Sequence, residues 1–400
     1  MDAVLAHGAT ARTLPAMPVA QDAFALLCEA NGHAPAGGPV RLDGRPLWLY
    51  GAGNLGRLAR AHLGVVGQEI SGVVDGNAAA HRDSDAWAGL DVRDPADVPA
   101  KTKADALLAV SVVTTPFVPL RAALLAAGWG QVVPFYDVAE GFRDRHPLSN
   151  GWFAERMDEA ALGRASEVLA GLADDASRAH YLRFAVWRLC RQEWDFPTAP
   201  VTTGDRFFIP GTLAAFRPGE RVLDAGAHRG ELVPAFHAAL GERLAKLWAV
   251  EPDPASLTAL HAARETWPAA LSERVTIIDA VLAEKSGRCR FHAGLGYASQ
   301  IAASGQCERD ATTIDALGLE PTVIKLHLEG GELAALKGAM TSVRRHRPIL
   351  MLTVYHDAAG LLETPLYLMR NLDGYAVLMR THSHCGTGAV LYAIPKERMR

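Results

Sequence analysis

Short apolar runs separated by stretches of helical periodicity recur twice along this 400-residue chain. In the first series Leu47-Trp48-Leu49-Tyr50, Ile70 to Asp75, Ala106 to Val113 and Val132 to Phe135 read as strands, with Pro119 to Ala127 as a helix before the last. Strand and helix in alternation imply a small parallel sheet with right-handed crossovers. From 141 to 200 the period changes, and Leu162, Val168, Leu169, Leu172, Tyr181, Phe184, Ala185, Trp187 and Leu189 predict two or three core-forming helices. A second series of seven runs follows, at 221–225, 246–251, 275–280, 322–328, 349–356, 376–380 and 389–394. The expected fold class is α/β, a seven-stranded Rossmann-like sheet in the C-terminal half and a smaller Rossmann-like unit before it. The boundaries predicted are a mobile arm over 1–40 with one helical candidate at Gln21 to Ala30, the first α/β unit over 41–140, a helical linker over 141–204 and the large unit over 205–400.

Each series carries a glycine turn at the end of its first strand. In Val222-Leu223-Asp224-Ala225-Gly226-Ala227-His228-Arg229-Gly230 a strand runs into a turn that opens a helix, and the next strand ends on Glu251-Pro252. Glycine lets a backbone approach a ligand closely, and an acid at the tip of the neighbouring strand can accept both hydroxyls of a ribose. Gly226 and Gly230 stand in GxxxG rather than the GxGxxG that wraps a pyrophosphate, so a phosphate-free nucleotide cofactor is expected, S-adenosylmethionine foremost. The bland alternative is an ordinary tight turn beside a surface acid. The N-terminal turn, Gly51-Ala52-Gly53-Asn54-Leu55-Gly56, does keep GxGxxG, and Asp75 ends the following strand. It could hold NAD or a nucleotide-sugar pyrophosphate on the helix N-terminus with Asp75 on a ribose, or serve only as packing.

In a sheet of this type ligands bind beyond the carboxyl ends of the strands. Asp224 is therefore expected to hold the cofactor ammonium, the turn amides of Ala227 and His228 to face its carboxylate, Glu251 to take the ribose, and Asp279-Ala280 to lie beside the adenine. The run Val323-Ile324-Lys325-Leu326-His327-Leu328-Glu329 places Lys325, His327 and Glu329 on one face, costly to bury unless paired or used. A neutral imidazole suits removal of a hydroxyl proton, so His327 and His356 are candidate general bases, with His356 favoured. His382-Ser383-His384-Cys385 invites a metal reading with His327, Glu329 or His356 as further ligands, but two histidines on a loop are weak support and no metal is expected.

The formal charge of −4 suggests neither nucleic acid nor a polybasic membrane contact. Five scattered cysteines without CxxC spacing read as reduced thiols. With no basic leader and no apolar window long enough to span a bilayer, a cytoplasmic protein is expected.

The motifs VLDAGAHRG (222–230), VEP (250–252), IKLHLEGGELAALKGA (324–339), RPILMLTVYH (347–356) and the tail GYAVLMRTHSHCGTGAVLYAIP (374–395) resemble the FkbM family of S-adenosylmethionine-dependent methyltransferases, over roughly Asp205 to Pro395. The resemblance implies the class I methyltransferase sheet with one antiparallel strand, and O-methylation of a small-molecule or carbohydrate hydroxyl. Lys325, Glu329, Gly330 and Glu332 match the family pattern, whereas His327 stands where the family shows Asp. Two other functions fit the chain less well. The N-terminal glycine motif alone would suit an NAD-dependent sugar-nucleotide oxidoreductase or epimerase, which lacks a recognisable Tyr/Lys pair, and the His327 departure would suit a degenerate binding module. A homo-oligomer is compatible with the sequence.

Overall fold

A computed structural model describes residues 9–34, 38–81, 84–294 and 296–399. Residues 1–8 and 35–37 of the expected arm lie outside the described residues, but its remainder is not free. Strand β1 (Thr10–Thr13) and the helix Ala20–Gly32 are built into the body, because Ala23, Leu27 and Ala30 form an apolar stripe that is fully buried.

The first sheet holds β2 (Leu47–Tyr50), β3 (Gly72–Val74), β4 (Val92–Arg93), β5 (Leu107–Val110) and β6 (Gln131–Pro134) in the order β4-β3-β2-β5-β6, all parallel. The two-residue β4 is too short to leave a periodic signature, which is why the sequence shows only four of these five strands. After β2 the chain turns at Gly51, whose φ is 103°, into the helix Asn54–Val65. A Cβ on Gly56 would stand 2.0 Å from the Gly51 carbonyl oxygen, so close helix-to-strand packing requires glycine there.

The helices Glu159–Gly171 and Asp175–Cys190 follow, each started by an aspartate, Asp158 or Asp174, that accepts from a backbone N–H three residues on. Strand β7 (Gln192–Asp195) then pairs with β1 in parallel. These helices do more than link. Ala179, Leu182, Val186 and Leu189 join Leu350, Leu352 and Leu391 of the large sheet in one hydrophobic core, which the N-terminal helix also enters.

The large sheet comprises β8 (Glu220–Ala225), β9 (Leu244–Val250) and β10 (Val275–Ile278), and further along the chain β15 (Val323–Leu326), β16 (Ile349–Thr353), β17 (Tyr375–Thr381) and β18 (Ala389–Pro395). Between them lie β11 (Val281–Leu282), β12 (Gly287–His292), β13 (Gln300–Ile301) and β14 (Cys307–Thr312), a separate four-stranded sheet. The order of the large sheet is β10-β9-β8-β15-β16-β18-β17, parallel except for β18. All seven strands expected from the apolar runs are present. The small sheet was not legible, because β12 and β14 carry exposed arginines and acids on one side and little apolar surface on the other. β15 is central, hydrogen-bonded to β8 and β16 on its two sides, so β8, β9, β15 and β16 all deliver their carboxyl ends to one edge. No described helix is long and apolar enough to cross a membrane.

Candidate functional site

The glycine turn after β8 owes its shape to its neighbours. Gly226 has φ 75°, and a Cβ there would lie 2.0 Å from the His327 carbonyl oxygen. Gly230, at φ 84°, would meet Leu260 and Trp267. His228 adopts φ 50° between them, a conformation held because its backbone N–H donates to Glu251 Oε2 at 2.7 Å. The other Glu251 oxygen accepts from the Asp253 N–H at 2.9 Å, so the carboxylate knits the tip of β9 to the turn of β8. Burial raises the Glu251 carboxyl above its usual range against the pull of those two N–H donors. A narrow cavity of about 80 Å³ opens here, with Glu251, Pro252, Ala280, Leu282, Phe291 and Ile301 among its walls.

The small sheet roofs that cavity. Asp253 caps the helix Pro254–Arg264 through the Ser256 N–H and, with its second oxygen, accepts from the Gly294 N–H at 2.7 Å and the Ser299 hydroxyl at 2.9 Å. One aspartate thus ties the loop after β12 down over the strand tips. Asp279, expected beside the adenine, is turned away: its side chain is 55% exposed and paired with Arg309. Ala280, Val281 and Leu282 line the cavity in its place.

Asp224 and Lys325 also differ from the sequence reading. Asp224 is fully buried, and its carboxylate lies 2.8 Å from the Lys325 ammonium, so it does not line the narrow cavity. Burial pushes the Asp224 carboxyl up, and Lys325 pulls it back. Lys325 further donates to the Ala225 and Gly226 carbonyl oxygens at 3.2 and 2.8 Å. Both residues therefore hold the turn from beneath.

His327 and Glu329 lie past the end of β15, where Glu329 takes φ 49° and leaves the strand alternation. The bend folds Glu329 back, placing its Oε1 3.3 Å from His327 Nε2 and 3.1 Å from His356 Nε2. Glu332 supports the loop, accepting from the Leu328 and Gly330 N–H groups, the Thr353 hydroxyl and His356 Nδ1. His356 is 1% exposed, with a carboxylate facing each ring nitrogen. Burial disfavours its charge, yet Glu329 and Glu332 outweigh that and hold its pKa well above the ordinary histidine value. His327 goes the other way, brought down to about 4 chiefly by burial. Burial opposes ionisation of Glu329, but His356 foremost, with His327, brings it down to about 2. The two rings lie 5.2 Å apart and nearly parallel, and the Tyr355 hydroxyl reaches His327 Nε2 at 3.2 Å. Tyr355 stands beside His356 at an expected strand end and Glu332 matches the family pattern, but nothing local to either residue announces these contacts.

A second cavity, about 770 Å³, adjoins the narrow one and shares Gly226, His228 and His327 with it. One wall comes from the large unit, with Lys325 and Tyr355, and the opposite wall from the first unit, with Gly51, Gly53, Asn54 and Asp75. Asp75 accepts from the Ala52 and Asn77 N–H groups at 2.7 Å each, closing the N-terminal turn. The histidines of the 382–385 segment do not converge: His382 meets Thr202, Asp205 and Tyr392, while His384 turns toward Glu193.

A parallel sheet with one antiparallel strand beside its edge, a glycine turn at the first strand and an acid at the tip of the second define a Rossmann-like methyltransferase. Residues 224–374 match the family model of the methyltransferase FkbM domain. A solved structure of methyltransferase FkbM from Methylobacillus flagellatus superposes with a TM-score of 0.60 at 19% identity, covering 94% of this chain and 99% of that one. It shares the fold over nearly the whole length, including the first α/β unit. Two further methyltransferases overlap only partially. Precorrin-6y C5,15-methyltransferase from Geobacter metallireducens has a TM-score of 0.28 at 16% identity, covering 46% of this chain and 83% of that one. SAH-bound PaMTH1 from Podospora anserina has a TM-score of 0.29 at 14% identity, covering 60% and 97%. None of the curated proteins compared is similar to this chain in sequence.

Proposed function

We propose that this methyltransferase moves a methyl group from S-adenosylmethionine to a hydroxyl of a sugar, glycan or glycosylated small molecule, within the cytoplasm. The observation that carries this reading is the junction of two cavities at Gly226, His228 and His327. The narrow one, with Glu251 on its wall, suits an adenosine and its ribose hydroxyls. The wide one takes the acceptor. Its walls offer Asn54, Asp75, Thr203, Arg206 and Ser383, a set of donors and acceptors matched to a polyhydroxylated molecule. The first unit's glycine turn is, in this reading, a wall of the acceptor site, and the polar groups there select the acceptor.

The cofactor supplies an electrophilic methyl carbon on a sulfonium. The walls at Gly226 and Glu251 would hold that cofactor, and the proton that the acceptor hydroxyl gives up on methylation would pass to the His327 imidazole. The chain's residues align the two molecules and keep water out, the main contributions open to a protein when the leaving group is already good. His356 has no route to the acceptor, being buried behind Glu329 and Glu332, so the preference for it over His327 reverses. His327 is the imidazole at the shared wall.

Incubation with isotopically labelled S-adenosylmethionine and a panel of nucleotide sugars and cell extract should yield a product heavier by one labelled methyl. Calorimetry should show Glu251→Ala weakening cofactor binding by about 10- to 100-fold, the loss of one or two hydrogen bonds to a charged group. Unchanged affinity in that variant would remove the assignment of the narrow cavity.

A further inference from the structure

We propose that His327, Glu329 and His356 bind a divalent transition-metal ion at the wall of the acceptor cavity. Their ligating atoms, His327 Nε2, a Glu329 oxygen and His356 Nε2, lie within 4.8 Å of one another. Glu329 Oε1 is 3.3 Å from the first nitrogen and 3.1 Å from the second. Ligands about 2.1 Å from a common ion are separated by roughly 3.0 Å at a right angle and roughly 3.4 Å at the tetrahedral angle, so these spacings are those of a coordination shell. The 3.1 Å approach of His356 to Glu329 lacks hydrogen-bond alignment, and both His356 Nε2 and Glu329 Oε2 are buried without a hydrogen-bond partner. Buried polar atoms are nearly always satisfied, and here two unsatisfied ones belong to residues of one three-membered group of ligand side chains.

The surrounding groups suit an ion as well. His356 Nδ1 bonds Glu332 at 2.8 Å, the carboxylate–histidine pairing that orients an imidazole ligand and fixes which nitrogen is left to coordinate. Glu329 and Glu332 place two negative charges out of contact with water, and a dication that displaces the proton from His356 Nε2 balances both. Two imidazoles and one carboxylate favour zinc, iron, cobalt or nickel over magnesium or calcium, which prefer oxygen ligands. His327 lines both cavities and Glu329 the narrow one, so the site lies where the two cavities join. An ion there would act as a Lewis acid on an acceptor hydroxyl, with no redox change; His327 would then hold the ion through Nε2, and the hydroxyl proton would leave to water in place of the imidazole. The site stands on this geometry alone, and only its use on an acceptor hydroxyl rests on the methyltransferase reading.

The test is titration of chelator-stripped full-length protein with Co²⁺, followed by calorimetry and by the ligand-field absorption of bound cobalt. One ion per chain is expected, with bands of mixed nitrogen and oxygen coordination, lost or at least about 10-fold weaker in His327→Ala and Glu329→Gln and unchanged in His384→Ala. Circular dichroism and thermal unfolding of the same samples report that each variant is folded. Failure of the wild-type protein to take up one ion overturns the proposal whatever the variants do, as does unaltered cobalt absorption in both ligand variants. Cofactor binding without cobalt binding would leave the methyltransferase reading standing, and cobalt binding without cofactor binding would do the reverse.

Discussion

Removing the Lys325 ammonium would strand the Asp224 carboxylate in a site with no water, since both side chains are at most 1% exposed. A buried pair broken on one side costs about 3–5 kcal/mol, much of it the penalty on the orphaned charge. Lys325→Met should lower stability to urea by that order, and the double variant Lys325→Met/Asp224→Asn should recover a good part of it. Equal losses in the single and double variants would mean that the pair does not hold the turn. Gly226 offers a sharper local test. Gly226→Ala would force a Cβ into the His327 carbonyl and a positive φ on alanine, so a loss of about 2–4 kcal/mol is expected, together with loss of cofactor affinity. Thermal unfolding and calorimetry on one sample check both.

At the level of single elements, the small sheet from β11 to β14 is an insertion that the apolar periodicity did not reveal, yet it supplies the cavity roof through Phe291 and Ile301. Its attachment depends on Asp253, which serves at once as helix cap and as acceptor for Gly294 and Ser299. Asp253→Ala should cost about 1 kcal/mol from the cap and, by freeing the loop, raise KM for the cofactor more than it lowers kcat. A change confined to kcat would place Asp253 outside cofactor retention. The helix Asp175–Cys190 has a comparable role on the acceptor side. Arg188, fully buried, donates to the carbonyl oxygens of Asn150, Trp152, Tyr355 and Gly386, joining four segments at one guanidinium. That side chain carries the backbone of Tyr355, and hence the hydroxyl that meets His327.

Across the whole molecule, three histidines from three segments meet where the two units touch. His62 lies in the helix Asn54–Val65, His146 beyond the first sheet and His292 at the end of β12, with ring centroids 5.3 and 4.7 Å apart along the chain of contacts. Burial brings His62 and His146 each down to about 4. In the unfolded chain both titrate near 6.5, so between those values the unfolded state binds more protons than the folded one. Stability is therefore complete above about pH 6.5, falls as pH drops toward 4, and flattens below, by on the order of 3 kcal/mol for each ring at most. His62→Phe should reduce that slope in unfolding measured from pH 7 to pH 4. An unchanged slope would show that the cluster stays neutral for other reasons, or opens locally before the fold is lost.

Periodicity was enough to locate every strand of the large sheet, and glycine spacing was enough to locate the tight turn after β8, because both depend on local geometry that neighbouring residues impose. The surroundings of Asp224, Asp279 and His356 could not be read the same way. Their positions at strand ends are local facts, but Lys325, Arg309 and Glu332 come from other parts of the chain to claim them. Convergence of His327, Glu329 and His356 likewise depends on a left-handed bend at Glu329 and on the pairing of β15 with β16, and the two cavities meet only because the first unit packs its glycine turn across from the second. Spacing along the chain sets which way a side chain leaves its own backbone, whereas partners, burial and charge balance are set by residues distant in sequence, and those decide what a side chain is left free to do.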